Sequence, residues 1–125
     1  MLKSYPTIFH REGKGYWDEF PEFGGGTEGA TIELAMKNAH EMLESVLASY
    51  IDEGLALPAP SDIAKLKAPD GFVTLIQVNP LPFVKNNKAI RKNVTVSKWL
   101  VRLADREKVN YSEVLTQALE SRLQL

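Results

Sequence analysis

The chain of 125 residues contains no cysteine, so it can build neither a disulfide framework nor a thiolate metal site or nucleophile. That absence fits a reducing compartment, and a cytoplasmic location is the expectation. No apolar run approaches the ~20 residues of a membrane-spanning helix. Met1-Leu2-Lys3-Ser4 is not followed by an apolar core, so no signal peptide is expected either. Histidine is scarce: His10 and His40 stand too far apart to suggest a ligand pair, and solvated or capping roles are expected of both. The glycine run Gly24-Gly25-Gly26-Thr27-Glu28-Gly29 lacks the Gly-Lys-Ser/Thr that follows a phosphate loop and reads as a turn. No metal or other cofactor is implied, and no segment repeats.

What is present is ordinary in amount, with 25% charged and 44% hydrophobic residues, but uneven in placement. From Lys85 onward nine basic side chains face four acidic ones, a net of +5, whereas residues 1–84 carry a net of -6. A basic half favours phosphates and an acidic half favours a cationic partner, so the two halves are expected to meet different molecules.

The basic half is the more legible. From Ile90 to Val96 the side chains alternate, Ile90, Val94 and Val96 on one face and Arg91, Asn93 and Thr95 on the other, the period of a half-buried strand. Lys92 falls on the inner face, where its stem can lie along apolar surface while the ammonium reaches water. Ser97 is placed to cap a helix with Leu100, Leu103 and Ala104 inward and Trp99 flanking. Asn110 and Glu113 form a variant capping box opening a second helix, with Val114, Leu115, Ala118 and Leu119 inward. A piece this short cannot close a core alone, since chains below roughly 40 residues need a disulfide, a metal or a partner subunit. With no cysteine and no ligand cluster, a second copy is the expected remedy.

Strand, helix and helix in that order resemble the ribbon-helix-helix (MetJ/Arc-type) DNA-binding family. The resemblance implies a homodimer whose paired strands enter the major groove, with Arg91, Asn93 and Thr95 reading base edges. It also implies that the free amides at Tyr111 and Ser112 hold a DNA phosphate. Ile90, Val94, Val96, Leu100, Leu103, Leu115 and Ala118 would form the dimer core. The competing reading is a solvated edge hairpin.

In the acidic half, Ser4 to His10 reads as a strand with Pro6 suited to an edge, Arg11 to Gly15 as a hairpin loop and Tyr16 to Phe20 as the returning strand. The glycine run leads through a short third strand to Thr31, which caps a long helix from Ile32 to about Glu53, ended by Gly54. Leu34, Ala35, Ala39, Met42, Leu43, Val46, Leu47, Tyr50 and Ile51 form one continuous apolar stripe, while Lys37, Glu41 and Glu44 make a solvated face. A proline-punctuated stretch, Leu55 to Ser61, and an indeterminate segment, Ile63 to Lys67, precede the turn Asp70-Gly71 and a strand from Phe72 to Val78. The whole is an α+β protein with expected domains at 1–82 and 89–125, joined by a linker at 83–88.

The segments YPTIFH, GYWDEFPEF and GGGTEGAT, the helix IELAMKNAHEMLESVLASYIDEG, the connection LALPAPSD and the C-terminal module resemble, in that order, the HicB-type antitoxins. This resemblance covers nearly the whole chain. It implies that the first domain is a partial ribonuclease-H-like fold holding a HicA-type toxin, an RNA-cleaving protein, and that the second represses the operon encoding both by binding double-stranded operator DNA. A protein that grips RNA is expected to be basic, which suits Trp17, Asp18, Glu19, Glu22, Phe23 and Glu28 as toxin contacts, acidic groups beside aromatic anchors. For each aromatic the competing role is the core. Hydrolysis by the chain itself is not expected, because YPTIFH carries none of the carboxylates that a two-metal site would begin with. The alternative from another class is a stand-alone transcriptional regulator whose first domain binds a small ligand.

Overall fold

The computed structural model describes residues 1–125 and divides them into two units, Met1–Asn87 and Lys88–Leu125. In the first, alternating side chains produce strands β1 (Lys3–Glu12), β2 (Gly15–Phe20), β3 (Gly25–Gly29) and β4 (Gly71–Val78), around one long helix, α1 (Ile32–Asp52). The strands form one antiparallel sheet in the order β3-β2-β1-β4. The expected edge strand is therefore internal. Pro6 is tolerated because β2 pairs with β1 only from Ile8 onward, so at Pro6, opposite Leu75, the strand has β4 as its sole neighbour.

Register sorts the side chains into two faces. Tyr5, Thr7 and Phe9 of β1 line up with Tyr16, Asp18 and Phe20 of β2 and with Phe72, Thr74, Ile76 and Val78 of β4. Ala35, Ala39, Leu43 and Leu47, spaced at four residues along α1, pack onto that face with Tyr5, Phe9, Phe20, Ile76 and Val78 as a closed core. Small residues let the helix lie close: a Cβ on Gly29 would stand 2.3 Å from the amide nitrogen of Ala35. Thr31 accepts from the Leu34 amide at 3.2 Å and so caps the helix start. Gly54, at φ 71°, ends it by donating to Ile51 while Leu55 donates to Tyr50.

The connection from 55 to 70 is pinned along its length. Tyr5 Oη donates to the Pro58 carbonyl at 2.7 Å, the Ser61 amide donates to Glu22 at 2.5 Å, and the Arg11 amide donates to the Asp70 carbonyl at 3.1 Å. The indeterminate segment is a single 3-10 turn, Ile63–Lys65, capped by Asp62. A second 3-10 turn, Leu81–Phe83, follows β4, and Val84 after it is buried. The amides of Lys85 and Asn86 donate to the Asp52 carboxylate at 3.0 and 2.7 Å, which holds that carboxyl below its ordinary pKa. Residues 83–87, expected to be linker, thus belong to the first unit, because a carboxylate at the end of α1 satisfies their backbone.

In the second unit, α2 (Lys98–Arg106) and α3 (Tyr111–Arg122) form as the periodicity predicts. Asn110 caps α3 by accepting from Glu113 at 3.1 Å, whereas Ser97 sits at the start of α2 without a side-chain bond. The turn between them closes with the amides of Lys108 and Val109 donating to Asp105 and Ala104, and Lys108 takes φ 55° where glycine would be unstrained. Tyr111 Oη reaches back to the Asp105 carboxylate and to the Val101 carbonyl. Residues 88–97 hold no regular structure, so the strand expected over Ile90–Val96 does not exist in the single chain. A strand is defined by its ladder, and this one has no neighbour within the chain.

Candidate functional site

The expected toxin-contacting residues divide by strand parity. Trp17, Glu19 and Glu28 lie on the sheet face away from α1, with Trp17 opposite Glu28 across the β2–β3 pair. Trp17 is 38% exposed, and with Glu19, Pro21, Gly24, Gly25, Gly26 and Glu28 it walls an open groove of about 550 Å³. Gly26 is required there: a Cβ would fall 1.6 Å from the Asp18 carbonyl oxygen, so β3 approaches β2 only because that side chain is missing.

The other three expected contacts point elsewhere. Asp18 is 1% exposed on the helix-covered face, where Oδ1 accepts from the Thr27 amide at 3.1 Å and Oδ2 has no partner. Burial pushes its pKa up to about 6, against the lowering effect of the Thr27 bond. Phe23 packs edge-on against Tyr5 at 5.1 Å and Tyr50 at 5.5 Å, and Glu22 is spent on the Ser61 amide. Asp18 is thus a core residue, Phe23 packs partly buried against the core and Glu22 is a fastener of the 55–70 connection. The signal was available in GYWDEF, where Tyr16, Asp18 and Phe20 share a parity and two aromatics mark it as the inner one.

His10, expected to be solvated or to cap, is a keystone of the outer face. Its ring stacks on Trp17 with centroids 4.0 Å apart and planes 15° from parallel. Nε2 lies 2.9 Å from Glu19 Oε1 and Nδ1 lies 2.9 Å from Asp70 Oδ1. Two ionised carboxylates can only accept, so the arrangement favours the doubly protonated ring, in which both nitrogens donate. Desolvation works against that charge, but the bonds to Glu19 and Asp70 outweigh it and raise the pKa above 6.5. The same bond holds Asp70 below its ordinary value. The cation fixes Trp17 flat beside Glu19 and joins three separate segments of the chain. No sequence spacing announces this, since His10, Glu19 and Asp70 come from different elements. His40 lies half-buried on α1.

In the second unit the expected dimer-core residues are bare. Ile90 is 85% exposed, and Val94, Val96, Leu100, Leu103, Leu115 and Ala118 are exposed as well. Not one residue of residues 88–125 is buried. Arg91, Asn93 and Thr95 are exposed in the same irregular segment, with Lys92 among them. Tyr111 and Ser112 stand in the first turn of α3, where the Tyr111 hydroxyl ties α3 to α2 and its pKa is raised by the bond to Asp105. No group of three or more His, Asp or Glu side chains is arranged to hold a metal ion. No helix is long and apolar enough to cross a membrane.

A family model described as the HicB-like antitoxin of bacterial toxin-antitoxin systems matches residues 5–120. Among solved structures, a toxin-antitoxin complex from Streptococcus pneumoniae contains a chain 25% identical to this one, covering 98% of this chain and 99% of that one at a TM-score of 0.64. The antitoxin HicB of Burkholderia pseudomallei is 20% identical, covers 94% of this chain and 96% of its own, and superposes at 0.57. Antitoxin HicB3 is 24% identical over 95% of this chain and 97% of its own, at 0.54, and these last two show the shared fold. No curated protein sequence matches.

Proposed function

The chain belongs to the HicB-like antitoxin family of bacterial toxin-antitoxin systems, and from that membership we propose that it neutralises a HicA-type RNA-cleaving toxin with its first unit and represses its own operon with its second. One observation carries the division of labour. The acidic first unit closes its own core, whereas the basic second unit buries nothing and leaves two amphipathic helices and an alternating segment bare.

Apolar faces of that extent on so short a unit call for a partner of matching shape, and a second copy supplies one by symmetry. Two copies pair residues 90–96 as an antiparallel ribbon, which turns Ile90, Val94 and Val96 inward over the helices and points Arg91, Asn93 and Thr95 at the major groove. The segment is unpaired in one chain, so its backbone donors and acceptors are free for a ladder made between two chains. The amides opening α3 then receive a phosphate. The net +5 charge beyond residue 84 favours this partner.

For the first unit, the groove beside Trp17 with Glu19 and Glu28 on its walls suits a cationic protein. An acidic rim around an aromatic anchor speeds encounter and competes with RNA for the toxin's basic surface. The sheet with its single covering helix reads as the partial ribonuclease-H-like fold that the family resemblance implies. No catalytic step is assigned to it.

Coexpression with a HicA-type toxin, sought as a small basic protein in the neighbouring reading frame, tests the toxin half: a stable copurifying complex is expected, and its absence would favour a stand-alone regulator. For the DNA half, Arg91→Ala should cost about 1–3 kcal/mol of specific operator binding and leave the toxin complex intact. Undiminished operator affinity would refute the proposed face.

A further inference from the structure

The two edges of the sheet are treated differently. β3 is short, mostly glycine and carries Glu28, the usual means of keeping an edge from pairing with another chain. β4 on the opposite side runs eight residues, Gly-Phe-Val-Thr-Leu-Ile-Gln-Val, without a charge, a proline or a bulge. It is bonded to β1 on one side, and no backbone bond outside the sheet engages any residue from Phe72 to Val78. Leu75, on the face away from α1, is 51% exposed, and Phe72 is partly exposed on the other. Neither feature is used by the toxin-facing rim, which lies on β2 and β3.

We propose that β4 is a strand-pairing interface with β4 of a second copy of this chain, joining two four-stranded sheets into one of eight strands. A second copy is the occupant that the strand's chemistry selects. An uncharged edge gives no preference for the cationic partner that the rest of this acidic unit attracts. It also limits the repulsion between two acidic units, because Asp18, Glu19 and Glu28 sit on strands away from the junction and the Asp70 carboxylate is bonded to the His10 ring.

The pleat restricts the register. Across an antiparallel two-fold, opposite residues must share a face, so the axis passes through a residue and not between two. Centred on Leu75, the pairing sets Leu75 against its own mate, Val73 against Gln77, Thr74 against Ile76 and Phe72 against Val78, with no charge facing a charge and no polar residue opposed to a large aromatic. A single ladder is a small interface beside the roughly 1,200–2,000 Å² of stable specific ones. Pairing is therefore expected to depend on a tether such as the C-terminal dimer, which raises the local concentration. The proposal rests on the C-terminal dimer of the proposed function as its tether, and not on the toxin-binding half of that reading. It leaves the two Trp17 rims at the far ends of the joined sheet, both open.

The chain's lack of cysteine makes the test clean. Full-length Leu75→Cys, incubated under oxidising conditions, should form a disulfide-linked dimer nearly to completion, since paired Cα atoms across an antiparallel ladder stand within disulfide reach. Glu41→Cys, on the solvated face of α1, is the collisional control and should remain largely reduced. Cross-linking of Thr74→Cys in place of Leu75→Cys supports the pairing with the axis moved by one residue. Leu75→Lys, which places a charge at the centre of the edge, should strip hydrogen-exchange protection from the β4 amides that face away from β1 and leave α1 protected. No excess of cross-linking over the control at either position, with β4 exchange identical in Leu75→Lys, overturns the proposal. Loss of the copurifying basic protein in Leu75→Lys without such cross-linking assigns the edge to that partner and overturns it equally.

Discussion

Asp18→Asn isolates the cost of a charge held in the core. Asp18 is 1% exposed, one carboxylate oxygen has no partner, and its pKa stands at about 6 against an ordinary 3.8. Between those values the folded chain binds more protons than the unfolded one, so stability falls as pH rises. The contribution of the neutral carboxyl is fully present below pH 3.8 and is lost by the time pH has passed about 6. A displacement of about two units corresponds to about 3 kcal/mol at neutral pH. Asparagine has the same shape and keeps the bond from the Thr27 amide, but it cannot ionise. Because the unfolded carboxyl is already more than half ionised at pH 4, the stability difference between Asp18→Asn and the parent should be about 2.5 kcal/mol more favourable to the variant at pH 7.5 than at pH 4. Taking the difference between two pH values cancels the quality of the new amide's own hydrogen bonds and the opposite, acid-side contributions of Asp52 and Asp70. Denaturant titration followed by far-UV circular dichroism, at one fixed protomer concentration, measures it. A difference unchanged between the two pH values would refute the claim that Asp18 ionises inside the fold.

The His10 imidazolium makes a second pH window. Its stabilisation is complete below pH 6.5 and lost as pH rises through the raised pKa, so Trp17 emission in a Trp99→Phe background should titrate with a midpoint above 6.5 and lose that transition in His10→Ala. Gly26→Ala drives a methyl into the Asp18 carbonyl and should unpair β3, at a cost at or above the ~3 kcal/mol upper end of ordinary overpacking, read as a lowered denaturation midpoint. Val96→Asp buries a charge at the proposed subunit junction and should yield protomers unjoined at the C-terminal unit, losing specific operator binding while the toxin complex survives; retained operator affinity would show that the junction lies elsewhere.

Much of this was legible beforehand because it is local. The caps at Thr31 and Asn110, the stop at Gly54 and the period of 3.6 over Ala35, Ala39, Leu43 and Leu47 act within a few residues of themselves, so the sequence determined where α1, α2 and α3 form. Alternation did the same for β1, β2 and β4, and the charge asymmetry was a matter of counting. Tertiary structure decided the rest, through contacts between residues far apart in the chain. Strand order made β1 internal and left β4 as an open edge. Parity across the β2–β3 pair sent Asp18 inward and Trp17 outward from adjacent positions. Only folding brought Glu19 and Asp70 to the two sides of His10, and only the Asp52 carboxylate turned an expected linker into the end of a domain. A charged or aromatic side chain states its chemistry in the sequence, but which face it serves depends on neighbours that the chain supplies from elsewhere.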